Sequence, residues 1–232
     1  MKILAITLLL ALVHLFAQAQ TPREMQLPDR AVFDSFHGSL DQLTRRFGIT
    51  SASPGIEADI AQSLKSISDN VKFLESIINS GKPIPKEYLE SLTLDAELLK
   101  RLSGQRSNSN REKSRLYHGL KEVESDLAIK VGHVKKGRGE GVKLVQVFVH
   151  AKKGDQDVGA YQVWYVLKGW ADDSSKFKPF DRLTSPSNPT SMNLAPGNYF
   201  IWLSKGQPVT TRQPVSIGGD GKDKRDIEVL VP

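Results

Sequence analysis

The sequence predicts an α+β protein in two parts, an N-terminal antiparallel helical bundle followed by a C-terminal antiparallel β-sandwich. Two observations carry this prediction. Apolar residues recur every three or four positions in the first half, which is the helical period, and every second position in the last third, which is the strand period. The predicted division is a signal peptide over 1–19, a helical bundle over 29–132, a flexible basic linker over 133–141 and the sandwich over 142–232.

The N-terminal segment has the features of a signal peptide. Lys2 precedes an apolar run over 3–16, and "AQA" at 17–19 places small residues at the expected cleavage site. The run is shorter than the ~20 residues that cross a bilayer. We therefore expect a periplasmic or secreted protein with no transmembrane span after cleavage, the alternative being an uncleaved N-terminal anchor.

Three apolar seams predict three long helices in the first half, and a shorter helix is expected from about Asp29 to Phe47. Short connections between such helices predict antiparallel neighbours, in a small bundle or a pair of helical hairpins. The seams consist of Ile56, Ile60, Leu64, Ile67, Val71, Leu74 and Ile78; Leu89, Leu92, Ala96, Leu99 and Leu102; and Leu116, Leu120, Val123, Leu127 and Val131.

The stretch "GHVKKGRGEG", residues 132–141, interrupts both periods. It contains four glycines and three basic residues, and Val134 is its only candidate core residue. Glycine-rich polar stretches of this kind are typical of flexible linkers. The sequence therefore predicts a mobile basic connection between the two parts.

Period-two alternation begins after Val142, in "VKLVQVFVH", "AYQVWYVL" and "NYFIWLS", and continues in "VTTRQPVSI" and "DIEVLV". Several short strands separated by Gly, Pro, Asn and Asp predict an antiparallel sandwich. Because side chains alternate along a strand, each run has an inward and an outward set. The expected inward set is Val145, Val147, Val149, Tyr161, Val163, Tyr165, Leu167, Tyr199, Ile201 and Leu203. The expected outward set is Leu144, Phe148, Trp164, Val166, Phe200 and Trp202.

A "L-x-P-G-x-Y" turn precedes the third of these strands, with Leu194, Pro196, Gly197 and Tyr199 at its defined positions. Proline fixes φ and glycine accepts a positive φ in a tight turn, which predicts a corner of the sandwich followed by a core tyrosine. The pattern resembles the β-sandwich modules grouped as carboxypeptidase-regulatory-like or transthyretin-like domains, over roughly the last 90 residues. The resemblance implies an Ig-like or transthyretin-like fold and a non-catalytic accessory or adhesive role.

Most catalytic signatures are absent from the sequence. The chain has no cysteine, which excludes disulfides, thiolate nucleophiles and Cys-based zinc sites. G-x-S-x-G, H-E-x-x-H and G-x-x-x-x-G-K-[ST] do not occur, and the histidines show no metal-binding spacing. We predict no enzyme, metal or cofactor. An enzyme with loop residues Asp172, Asp173 and Lys178 is the last-ranked alternative.

The net charge is +6, and most of it lies in residues 134–232, which hold 15 basic and 10 acidic side chains. A mild positive excess favours acidic partners such as anionic glycans or a membrane surface. It also serves to keep a domain soluble. Export argues against nucleic acid as a partner.

The outward apolar set is the main functional observation, because a soluble monomer rarely leaves a large apolar patch bare. The alternatives for its cover are the protein's own helical half, a partner protein or second copy, and a glycan stacked on Trp164 and Trp202. The sequence predicts an exported, non-enzymatic structural or protein-interaction protein, and a glycan-binding accessory module is the alternative. The candidate binding residues are Phe148, Trp164, Phe200 and Trp202.

Overall fold

The computed structural model describes residues 27–47, 55–82, 84–105, 109–137, 142–159, 161–180, 188–208 and 210–231. Four helices come first: α1 (Leu27–Phe47), α2 (Ile56–Asn79), α3 (Lys86–Ser103) and α4 (Asn110–Lys136). Two β-sheets follow, so the predicted α+β division is confirmed. The predicted signal peptide lies outside the described residues. Within them, no helix combines the length and apolarity that crossing a bilayer requires.

The predicted apolar seams form the core of the helical half. Spacing by three or four positions puts these side chains on one face of each helix, where neighbouring helices cover them. Of the predicted seam residues, only Ile56 and Leu89 remain half-buried, and both lie near the start of their helix. The wholly buried members include Ile60, Ile67, Val71, Leu92, Leu99, Leu120, Val123 and Leu127.

Each helix packs against two others: α1 and α4 both contact α2 and α3. The neighbours are not all antiparallel. Near the starts of α2 and α4, the Lys113 ammonium lies 2.6 Å from the Glu57 carboxylate. Near their ends, the Lys135 ammonium lies 4.9 Å from the centre of the Phe73 ring. Helices α2 and α4 therefore run parallel; they are not consecutive in the chain, whereas the antiparallel prediction concerned helices joined by short connections.

The prediction of a flexible linker over 133–141 is wrong for 133–136, which form the last turn of α4. Val134 is buried and continues the seam of Leu127 and Val131. His133 is also buried, and its ring lies against Gly218 in the turn before the last strand. These contacts extend the helix past Gly132. Residues 138–141 lie outside the described residues.

The β half consists of two sheets. In the first, β1 (Val145–Lys153) pairs with β2 (Gln156–Asp157), β5 (Thr190–Leu194) and β9 (Lys224–Leu230). In the second, β6 (Gly197–Lys205) pairs with β3 (Gln162–Leu167), β7 (Gln207–Pro208) and β8 (Gln213–Ile217), and β3 pairs with β4 (Lys178–Pro179). The described strand pairs are antiparallel, as predicted, except β1 with β9, which is parallel.

The "L-x-P-G-x-Y" turn is a corner between the sheets. Strand β5 ends at Leu194 in the first sheet, and β6 begins at Gly197 in the second. Tyr199 is buried, and its hydroxyl donates a 2.9 Å hydrogen bond back to the Ala195 carbonyl. The predicted corner and core tyrosine are thus present.

Gly197 has a different role from the predicted one. It belongs to strand β6 and is not among the glycines with positive φ. A Cβ at this position would lie 3.4 Å from the side chains of Leu167 and Tyr199, and 3.6 Å from the Lys130 ammonium. These are ordinary van der Waals distances, and they place Gly197 of β6 close to Lys130 of α4, where buried charges join the two halves.

Candidate functional site

The two predicted platform tryptophans meet on the second sheet. Trp164 on β3 and Trp202 on β6 are direct cross-strand partners. Their rings are stacked, with centroids 6.4 Å apart and planes 17° apart. Aromatic cross-strand pairs of this kind stabilise a sheet and present a flat apolar surface.

The other two candidate residues are placed differently. Phe200 lies two positions before Trp202 on β6, so it shares that face, and it stands opposite Val166. Phe148 lies on β1 in the first sheet, opposite Ser191. The four residues therefore do not form one surface: the structure brings together Trp164, Phe200 and Trp202, and it separates Phe148 from them.

Two residues of the predicted outer face are buried in the protein itself. Trp202 is only 5% exposed, and Val166 only 2%. The Phe177 ring meets Trp202 edge-on, with centroids 5.0 Å apart. The Arg212 guanidinium carbon lies 4.5 Å from the centre of the Phe177 ring and 5.3 Å from the nearer Trp202 centroid. The Phe177 ring and the Arg212 guanidinium, both from the β half, therefore pack against Trp202.

A solvent-open groove of about 450 Å³ remains beside this cluster. The half-buried Trp164 and Phe177 supply aromatic walls. Thr210 is held in place, since its hydroxyl accepts a 3.0 Å hydrogen bond from the Leu203 amide. Among the described residues, no carboxylate and no histidine lines the groove. The lining residues are Trp164, Phe177, Trp202, Ser204, Gly206, Thr210, Thr211 and Arg212.

The groove combines the half-buried rings of Trp164 and Phe177 with three hydroxyls and one guanidinium. Such a site can stack against the apolar face of a ring and hydrogen-bond to polar groups at its edge. The described lining contains no pair of a nucleophile and a base, or of two carboxylates, that acid–base catalysis requires. The arrangement therefore supplies the chemistry of binding.

A buried ion pair connects α3 and α4 inside the helical half. The Lys130 ammonium on α4 donates a 2.8 Å hydrogen bond to the Asp95 carboxylate on α3, and both side chains are inaccessible to solvent. One turn earlier on α4, the Asp126 carboxylate accepts a 2.7 Å hydrogen bond from the Asn198 amide of β6. These three charged groups connect α3, α4 and the second sheet.

The burial of this cluster changes its protonation. Burial raises the pKa of Asp126 to about 7, with the negative charge of Asp95 adding to the effect and Lys130 opposing it. Burial also raises the pKa of Asp95, again opposed by Lys130. One cation, Lys130, thus faces two carboxyl groups. Asp126 therefore keeps a proton until the pH rises to about 7.

Trp170 anchors the outside of the same junction, and sequence reasoning missed it. It lies in a 3₁₀ turn over Lys168–Trp170, and its indole nitrogen donates a 3.1 Å hydrogen bond to the Leu94 carbonyl of α3. The Arg101 guanidinium lies over the indole at 4.5 Å. A single tryptophan between strands gives no periodic signal, so only its type could have marked it as a buried contact.

The loop residues of the enzyme alternative have structural partners. The Ser175 hydroxyl donates a 2.6 Å hydrogen bond to the Asp173 carboxylate, while the Lys178 ammonium lies 3.3 Å from the Glu90 carboxylate of α3. The Ser175 hydroxyl and the Lys178 ammonium therefore contact different partners and not each other. Asp172 is exposed. In the part of the chain that the structure describes, His, Asp and Glu form no group of three that could hold a metal ion.

Comparison with known proteins found no matching family model, no similar curated protein and no similar solved structure.

Proposed function

We propose that this chain is an exported, non-enzymatic binding protein whose β half holds a glycan in the groove beside Trp164 and Trp202. The observation that carries the proposal is the stacked tryptophan pair next to the hydroxyls of Ser204, Thr210 and Thr211. Aromatic side chains offer a large apolar area at a low entropy cost. Hydroxyl groups at the edge match the hydrogen-bonding edge of a sugar ring.

The dimensions of the groove favour a small ligand over a large partner. A protein partner would need the six residues of the expected outward set to form a bare apolar patch, but two of them, Val166 and Trp202, are buried. The groove measures about 450 Å³, and small-molecule sites span ~300–1,000 Å³. One or two sugar rings suit this space better than a protein surface.

The rest of the chain supports the groove in this proposal. The helical half serves as a rigid base, since buried charges and Trp170 connect it to the β half. The signal-peptide-like pattern over 1–19 supports a periplasmic or secreted location as part of this proposal. The corner at Leu194–Gly197 supports an Ig-like or transthyretin-like assignment of the β half as part of the same proposal.

A partner protein or second copy is the second candidate, favoured by the residue types in the groove. Trp and Arg are enriched among the residues that dominate protein–protein binding energy. Sedimentation velocity distinguishes this candidate, because a self-associating protein gains mass with concentration and the Trp164→Ala variant would lose that gain.

Replacing Trp164 by alanine should weaken oligosaccharide binding by about tenfold or more, because stacking on this half-exposed ring would be lost. Isothermal titration calorimetry against a panel of neutral and acidic oligosaccharides measures the effect. The matched control is Phe148→Ala, a half-buried aromatic residue in the other sheet, which should leave binding unchanged. Wild-type protein that binds no member of the panel at millimolar concentration would exclude the glycan function.

A further inference from the structure

We propose that the groove selects saccharides that carry a ring carboxylate, as uronic acids do, and that Arg212 binds this carboxylate. The inference rests on the proposed glycan-binding function and adds the charge of the ligand to it.

Arg212 is positioned to meet a ligand in the groove. Its guanidinium lies over Phe177 and near Trp202, and one of its nitrogens donates a hydrogen bond to the Ala171 carbonyl. A guanidinium has five N–H donors, so most of them remain for other acceptors. The residue is exposed, and the aromatic contacts fix the orientation of its planar group.

The charge of the groove is uncompensated. Among the described residues, no acidic side chain lines it and no carboxylate forms an ion pair with Arg212. By contrast, the lysines that face the helical half are neutralised: Lys168 and Lys176 pair with glutamates at 2.8 and 2.9 Å. An anion in the groove would therefore meet a guanidinium that no described carboxylate pairs with.

Guanidinium and carboxylate form bidentate, charge-assisted hydrogen bonds, which are stronger than the bonds between neutral groups. The net positive charge of residues 134–232 adds a long-range attraction for an acidic glycan. A neutral sugar would stack on the half-exposed Trp164 ring without satisfying Arg212. The preference for a carboxylate should thus come from one side chain, while stacking supplies binding common to both ligands.

The test compares trigalacturonic acid with its fully methyl-esterified form, which keeps the sugar rings and removes the charges. We expect the wild-type protein to bind the acid about tenfold more tightly than the ester. Arg212→Gln should remove this preference, because it should weaken acid binding about tenfold more than it weakens ester binding. Arg212→Lys should retain part of the preference, because it keeps the charge but loses the planar fork.

Arg225→Gln, which removes an exposed arginine outside the groove, should bind both ligands as the wild type does. Raising the salt concentration should weaken acid binding and spare ester binding. Equal affinity of the wild type for acid and ester would overturn the carboxylate inference while leaving glycan binding intact. Equal losses of acid and ester binding in Arg212→Gln and Arg212→Lys would also overturn it, since Arg212 would then act only by packing. Failure of the wild type to bind either ligand would overturn the carboxylate inference, and failure to bind any member of the oligosaccharide panel would remove the proposed function as well.

Discussion

Replacing Lys130 by methionine should destabilise the protein by about 3–5 kcal/mol, the cost of leaving a buried charge without its partner. The ammonium is fully buried and pairs with Asp95 at 2.8 Å, and Asp126 lies one turn away on the same helix. Without the cation, two buried carboxyl groups would remain. Chemical denaturation at neutral pH measures the loss, and Lys100→Met on the exposed side of α3 is the control.

The loss should depend on pH in a defined direction. The folded-state pKa of Asp126, about 7, lies above its ordinary value of 3.8. Protonation therefore stabilises the folded state fully below pH 3.8, and this contribution disappears as the pH rises through 7. Removing Lys130 takes away the group that opposes the shift. The Lys130→Met variant should thus lose least at acidic pH and most above neutrality. A loss below 1 kcal/mol at every pH would show that the cluster does not join the halves.

Replacing Trp170 by alanine is expected to cost about 3–5 kcal/mol, as for other buried aromatic residues. The indole fills a contact with α3, donates a hydrogen bond to Leu94 and lies under the Arg101 guanidinium. Because these contacts cross the junction between the two halves, the variant should also allow each half to open locally without the other. Denaturation measures the stability, and hydrogen exchange of α3 and β6 measures the opening.

Trp164→Ala provides the comparison for this substitution. The Trp164 ring is half-exposed, so its removal loses fewer apolar contacts. It should cost clearly less than Trp170→Ala. If the two variants lost the same stability, Trp170 would have no special role at the junction. A Trp170→Ala protein with unchanged exchange in α3 and β6 would likewise contradict the view that the halves are held together there.

The helices and the alternation of β1 were predictable because each depends on a local period. Ile60, Ile67 and Val71 are buried as their spacing indicates, and Val145 and Val147 face inward as alternation requires. The end of α4 was not predictable in the same way. The glycines after Val131 indicate a break, but tertiary contacts of His133 and Val134 with the rest of the protein continue the helix.

The candidate site was only partly predictable. Alternation placed Trp164 and Trp202 on one outward face, and the sheet confirms that pairing. Phe177 and Arg212 come from segments outside the central strands, so no period reveals that they pack against Trp202. Phe148 could not be assigned because alternation gives the face of a strand but not the sheet to which it belongs.

The buried charges were hidden for a related reason. Asp126 and Lys130 are four residues apart on α4, a spacing typical of a solvent-exposed ion pair on a helix. They are buried because α3 and β6 pack over them. The sequence alone does not state which helix face the β half covers, so a polar stripe and a buried charge cluster look alike.

The three tryptophans of this chain provide the most direct test of ligand binding in the groove. With ¹⁵N-labelled tryptophan, the protein should give three indole N–H signals. Trp164 and Trp202 line the groove, while Trp170 lies at the junction as an internal control. Titration with trigalacturonic acid should shift the Trp164 and Trp202 signals and leave that of Trp170 in place. A shift of Trp170 alone, equal shifts of all three signals, or no shift at millimolar ligand would contradict glycan binding in this groove.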